Sequence, residues 1–204
     1  MSPNKSDQNK SSIIPSLKSF SRGDLENLIS DLYGKSDTVR NVVDFRLTGN
    51  TEPFAKKYKK LIKNLLIEDL EEGINGLEQA LNAVHEFCGF VPNPGEQADI
   101  MLYFVEAAVY CINDFGDLYE ELYDESADMF EETLNFLKKH HMLEDFRDRC
   151  KKIVEDSENS GYGFYDSLGD TFSTFFHEGK TRQKKIIKKA GPKKAVKKPK
   201  LLKR

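Results

Sequence analysis

In segment after segment of this chain apolar residues return every three or four positions, and no stretch alternates apolar with polar residues as a half-buried strand does. Ser21 and Asp24 have the spacing of a capping box, and Leu25, Leu28, Ile29 and Leu32 then share one helical face until Gly34. Ser36 opens a second segment striped by Val39, Val42, Val43 and Leu47. The two predict a short hairpin in which neither helix can bury its stripe alone. In TEPFAKKYKKLIKNLL, Thr51 is placed to cap and Pro53 falls in the first turn, where a missing N–H costs nothing. Phe54, Tyr58, Leu61, Ile62 and Leu65 form its stripe, and Lys56, Lys57, Lys59, Lys60 and Lys63 a basic face. NGLEQALNAVHEFCG reads as a helix ended by Gly89. EQADIMLYFVEAAVYCINDFG is the most apolar segment and therefore the central one. DLYEELYDESADMFEETLNFLKKHH, LEDFRDRCKKIVEDSEN and FYDSLGDTFSTFF follow. The expectation is an all-α fold of about eight helices in antiparallel hairpins, a TPR-like array or an irregular bundle, without a repeat of fixed period.

Charge divides the chain more sharply than its net value of −3 suggests. Residues 179–204 hold 13 of the 31 Lys and Arg and none of the 34 Asp and Glu. The remainder therefore carries −16, an acidic body joined to a basic tail. Like charges in a block repel one another and bury no apolar surface. The sequence thus predicts a disordered leader over 1–18, a helical domain over 19–178 and a disordered Lys-rich tail over 179–204. Cys88, Cys111 and Cys150 are odd in number, far apart and set within helical patterns. They read as reduced core residues rather than a disulfide framework. No apolar run approaches the ~20 residues of a membrane span, and the leader lacks the apolar core of a secretion signal. A cytoplasmic protein without membrane association is expected.

Four blocks recur together in order and spacing: LENLISDLY with VRNVVDFRL; FAKKYKKLIKNLL; ADIMLYFVEAAVYCINDFGD; and FRDRCKKIVEDSENSGYGFYDSL. Together they resemble a small bacterial family, the domain of unknown function numbered 6155, over residues 18–176. The last block is the most specific, a Cys-Lys-Lys-Ile-Val helix running into a Gly-aromatic-Gly-Phe turn. The resemblance implies an all-α fold and supplies no activity, cofactor or substrate. In that family the first aromatic of the turn is often Trp, and a His-Asp pair often follows the Phe. Here Tyr162 and Tyr165-Asp166 take those places, so any chemistry of that His is lost from this chain.

Catalytic and metal signatures fail one by one. His85 and Cys88 are spaced to face one ion, but two ligands do not close a site. The Glu-x-x-His signature of di-iron bundles is missing, because Asn82, Leu137, Lys138 and Thr174 stand three residues before His85, His140, His141 and His177. His140 and His141 are adjacent, so on a helix they point apart. They suit a helix C-terminus, where a cation meets the dipole. A calcium loop starting at Asp114 would place Gly116, Leu118 and Tyr119 where oxygen ligands and the glycine belong. Asp117, Glu121, Asp124, Asp128, Glu131 and Glu132 instead fall opposite an apolar stripe of Leu118, Leu122, Phe130, Leu134 and Leu137, as a solvated acidic face does. No GxSxG and no Walker motif occurs. Gly161 and Gly163 allow positive φ between two helices, and Tyr162, Phe164, Tyr165 and Asp166 either pack that corner or line a small groove. No catalytic residue, metal or cofactor is expected.

Two functions lead, with an enzyme whose site lies at the SGYGFYDSLGD corner as a third reading. The first is a non-enzymatic helical module that binds a protein partner. The second is sequence-independent nucleic-acid association through Lys184, Lys185, Lys188, Lys189, Lys193, Lys194, Lys197 and Lys198. Lysines attract phosphate without reading bases, and the tail has no aromatic residue to stack on a single strand. The tail could equally fold back on the acidic body or act as a solubilising appendix.

Overall fold

The computed structural model describes residues 13–68, 73–116, 119–161 and 163–189, with side-chain detail as far as Phe176. Every regular element among them is helical. In chain order these are α1 (Arg22–Lys35), α2 (Asp37–Thr48), α3 (Glu52–Lys63), a π-helical turn (Asn64–Glu68), α4 (Gly73–Phe90), α5 (Pro94–Phe115), α6 (Glu120–Lys139), α7 (Leu143–Asp156) and α8 (Phe164–Lys189). A helical turn at 13–17 precedes them, so helical structure begins before Ser21. The all-α expectation holds.

The chain divides into two compact units, Met1–Tyr58 and Lys59–Arg204. In the first, the Ser21 side chain accepts from the Asp24 N–H and the Asp24 carboxylate accepts from the Ser21 N–H, the reciprocal box the sequence predicts. Helices α1 and α2 pair, and Gly49 ends α2 in the left-handed region (φ 66°). The hairpin leaves much of its apolar stripe in solvent. No residue of α1 is buried, Leu28, Ile29 and Leu32 are exposed, and so is Leu47. What this unit does bury is aromatic: Phe45 stacks on Phe54 at 6.0 Å, and Phe54 tilts against Tyr58 at 4.8 Å.

In the second unit α5 is the hub, packing against α4, α6, α7 and the π-helical turn. That pattern is an irregular bundle rather than a linear array of repeats. Asn93 caps α5, accepting from the Gly95 and Glu96 N–H groups, and Pro94 occupies the first turn. Gly116 ends the helix at φ 77°, a conformation that disfavours any side chain. Phe87, Phe104 and Phe130 are fully enclosed, each contributing about 3 kcal/mol by removing its ring from water. Buried Ser126, Thr133 and Ser157 satisfy their hydroxyls on the carbonyls of Leu122, Met129 and Val154.

Several local features depart from the sequence expectation. The helix of α3 does not run on to Leu65: it widens into the π-helical turn at Asn64, burying Leu66 and leaving Leu61 exposed. Helix α8 continues past Phe176 to Lys189, into the stretch read as tail. Lysine is a good helix former, and no proline follows Phe164 until Pro192. Of the two corner glycines only Gly163 takes positive φ (71°). At the end of α6 the left-handed residue is His141 (φ 60°), and the Met142 N–H reaches the Leu137 carbonyl at 2.9 Å. That is a Schellman closure made without glycine. His140 caps the helix with its ring 4.4 Å from Phe136.

Candidate functional site

Helix α5 is buried along most of its circumference, yet one line of it is polar. Asp99, Tyr103, Glu106, Tyr110 and Asn113 follow spacings of four and three residues and so share one face. None of the five is buried, whereas Ile100, Leu102, Phe104, Val105, Ala108 and Cys111 beside them are. From Tyr103 to Asn113 this line is the floor of a groove, with Lys63 and the π-helical turn on one side and α7 on the other.

Two adjoining concavities make up the groove. One, of about 260 Å³, is bounded by Glu106, Val109, Tyr110, Asn113, Asp114, Ile153 and Asp156. The other, of about 270 Å³, is bounded by Lys63, Ile67, Tyr103, Glu106, Ala107 and Tyr110. Glu106 and Tyr110 belong to both, and Tyr110 stands between them with 53% of its surface exposed.

Charge pairing fixes Glu106 in the floor and continues beyond the groove to Asp99. Arg149 of α7 donates a fork to Glu106, from Nε at 2.6 Å and Nη2 at 2.9 Å. Its Nη1 reaches Asp99 Oδ1 at 2.6 Å, and Nη2 reaches the Asp99 carbonyl at 3.2 Å. The second oxygen of Asp99 pairs with Lys59 at 2.7 Å, and Lys59 lies 5.2 Å from the Tyr103 ring centre. Partial burial alone would raise the Asp99 carboxyl; the hydrogen bonds from Lys59 and Arg149 outweigh it and hold the group below its ordinary range. For Arg149, burial disfavours the charge, and Glu106 and Asp99 more than restore it. Lys63 pairs with Glu68 across the π-helical turn at 2.9 Å.

The widened turn has its own anchor. The Cys111 thiol of α5 donates to the Leu66 carbonyl at 2.9 Å. Burial, with a contribution from Asp114, pushes that thiol up to about 11. At the far end, Asn113 donates to the Asp156 carbonyl at 2.6 Å and accepts from the Ser160 hydroxyl at 2.9 Å. This ties the end of α5 to the end of α7.

The sequence-derived candidates are dispersed. Phe164 is core, edge-on to Tyr123 at 5.5 Å, while Tyr165 and Asp166 are exposed and Tyr162 lies outside the described residues. Lys184, Lys185, Lys188 and Lys189 belong to the backbone of α8; Lys193, Lys194, Lys197 and Lys198 lie outside the described residues. Leu122, Phe130, Leu134 and Leu137 are buried and Glu121, Asp124, Asp128, Glu131 and Glu132 exposed, the solvated acidic face expected of α6; Asp117 and Leu118 lie outside the described residues. His85 is exposed, and Cys88 is pushed up to about 12 by burial, with Glu132 adding to it. Among the described residues no group of three or more His, Cys, Asp or Glu could hold a metal ion. No helix among them is long and apolar enough to cross a membrane.

The groove itself was legible only in part. The four-and-three spacing of Asp99, Tyr103, Glu106, Tyr110 and Asn113 is a polar stripe within an apolar helix, a signal the apolar reading passes over. Arg149, 50 residues from Asp99, gives no such signal. No protein-family model, curated protein or solved structure matches this chain.

Proposed function

We propose that this protein is a non-enzymatic interaction module that binds a polypeptide segment along the α5 groove. The observation that carries the reading is Tyr110, a large, half-exposed aromatic standing between two adjoining concavities on the one polar line of a buried helix. Tyrosine offers broad apolar contact with a polar tip at little entropic cost, and it is enriched at the centres of interfaces. The ion network that holds Glu106 favours binding over proton transfer. Asp99 is held below its ordinary range and Arg149 above its own, so both keep their charge through neutral pH and hold Glu106 of the floor in place. The resemblance to the bacterial family of unknown function numbered 6155 belongs to this proposal and contributes a fold without an activity.

Selection from a displayed peptide library tests the reading, with counter-selection on Tyr110→Ala. Peptides that survive should bind the native chain and lose about tenfold or more in affinity on Tyr110→Ala. A library yielding only peptides that bind both proteins equally would contradict it.

A further inference from the structure

The half of the groove that ends at Asp114 and Asp156 has a local imbalance. Asp114 lies in the last turn of α5 and Asp156 ends α7, and neither helix has a basic residue in its last turn. Helix C-termini carry partial negative charge and ordinarily attract Lys or Arg. Here two such ends, joined through Asn113, are given carboxylates instead. Asp114 accepts only the Tyr110 hydroxyl, at 3.3 Å, and no cation pairs with it among the described residues. Asp156 shares an exposed pair with Lys152 one turn back, of the kind worth little and easily exchanged. Between these acids lie Val109, Tyr110 and Ile153. The cavity therefore suits a segment that presents apolar side chains flanked by cations.

The chain holds such a segment. Fifteen residues follow Lys189, and they contain basic residues, no acidic ones and the run Lys200-Leu201-Leu202-Lys203-Arg204. Helix α8 begins four residues after Ser160, at the groove's end, and its 26 residues carry the chain about 39 Å away. The fifteen that follow span at most about 50 Å when extended. Reach thus excludes Lys193 to Lys198 and admits 200–204, the part that combines two leucines with three cations.

We propose that residues 200–204 occupy the Asp114–Asp156 end of the groove in their own chain, leucines against Tyr110 and Ile153 and cations against the two helix ends. The proposal rests on the groove being a peptide-binding surface and names its resident occupant, which an external partner would have to displace.

Zero-length carbodiimide cross-linking of the full chain tests it, using dilute protein mixed from normal and ¹⁵N-labelled copies. Lys200 or Lys203 should join Asp114, Asp156 or Glu106 within a single isotope. Tyr110→Ala should cut that yield about tenfold, while Tyr110→Phe, which keeps the ring, retains it. Tyr110 is half-exposed, so the fold survives either change, and an unaltered melting curve checks this. Yield spread evenly over Asp124, Asp128 and Glu131 of the α6 face and unmoved by Tyr110→Ala would overturn the proposal. So would products of mixed isotope, which place the segment in a second copy. Library peptides that need Tyr110, together with failed cross-links, would remove the resident occupant and leave the groove reading standing.

Discussion

Replacing Arg149 by Met isolates the contribution of the ion network that holds Glu106 in the groove floor. The methionine keeps much of the aliphatic packing and removes the fork on Glu106 and the bond to Asp99. The side chains involved are 27%, 36% and 37% exposed for Arg149, Asp99 and Glu106. Exposed pairs contribute about 0–1 kcal/mol, and stripping one partner from a buried pair costs about 3–5 kcal/mol. At this intermediate burial the expected loss is about 2 kcal/mol, or roughly 4–8 °C in Tm for a domain of this size. Arg149→Lys should recover less than half of it, because an ammonium cannot make the fork. The loss should also depend on pH. A carboxyl held below its ordinary value stabilises the fold above its unfolded pKa, and that contribution fades as pH falls through the lower folded value. The difference between native chain and Arg149→Met should therefore be full at pH 7 and shrink below about pH 4. Urea melts at both pH values read it directly. A cost under about 0.5 kcal/mol at pH 7, or one independent of pH, would refute the reasoning.

Three further outcomes follow from local structure. His141→Gly should stabilise the chain by about 0.5–1 kcal/mol in thermal melts, since the left-handed position after α6 penalises a β-carbon. Ser21→Ala should cost α1 about 1 kcal/mol of helix; because α1 buries no residue, the loss should appear as faster amide exchange in 22–35 with little change in global Tm. Burial pushes Cys150 and Cys88 up to about 12 and Cys111 up to about 11, so an alkylating reagent at pH 8 should label the native chain slowly at all three cysteines and promptly in denaturant.

What the sequence revealed and what it concealed divide along a physical line. Period and capping are local, so α4 to α7 were foreseeable from the recurrence of apolar side chains, and the Ser21–Asp24 box from two residues. The π-helical turn was not, because it depends on Leu66 being drawn inward and on Cys111, 45 residues away, serving its carbonyl. The apolar stripe of α1 illustrates the converse: Leu28, Ile29 and Leu32 have helical spacing without burial. Periodicity specifies a face, not what covers it. The groove needed both kinds of information. Its floor lies in one helix at regular spacing, but Ile153 and Asp156 on one side and Lys63 and Ile67 on the other reach that floor only by tertiary packing.

In the function proposed above, the α5 groove is where this protein meets a polypeptide. Amide-resolved NMR of the ¹⁵N-labelled full chain, titrated with a library-selected peptide, tests it most directly. Shifts should concentrate at residues 99–114, 63–67 and 149–156 and disappear on Tyr110→Ala. Shifts confined to the acidic face of α6 around Asp124, Asp128 and Glu131, with the groove silent, would contradict it.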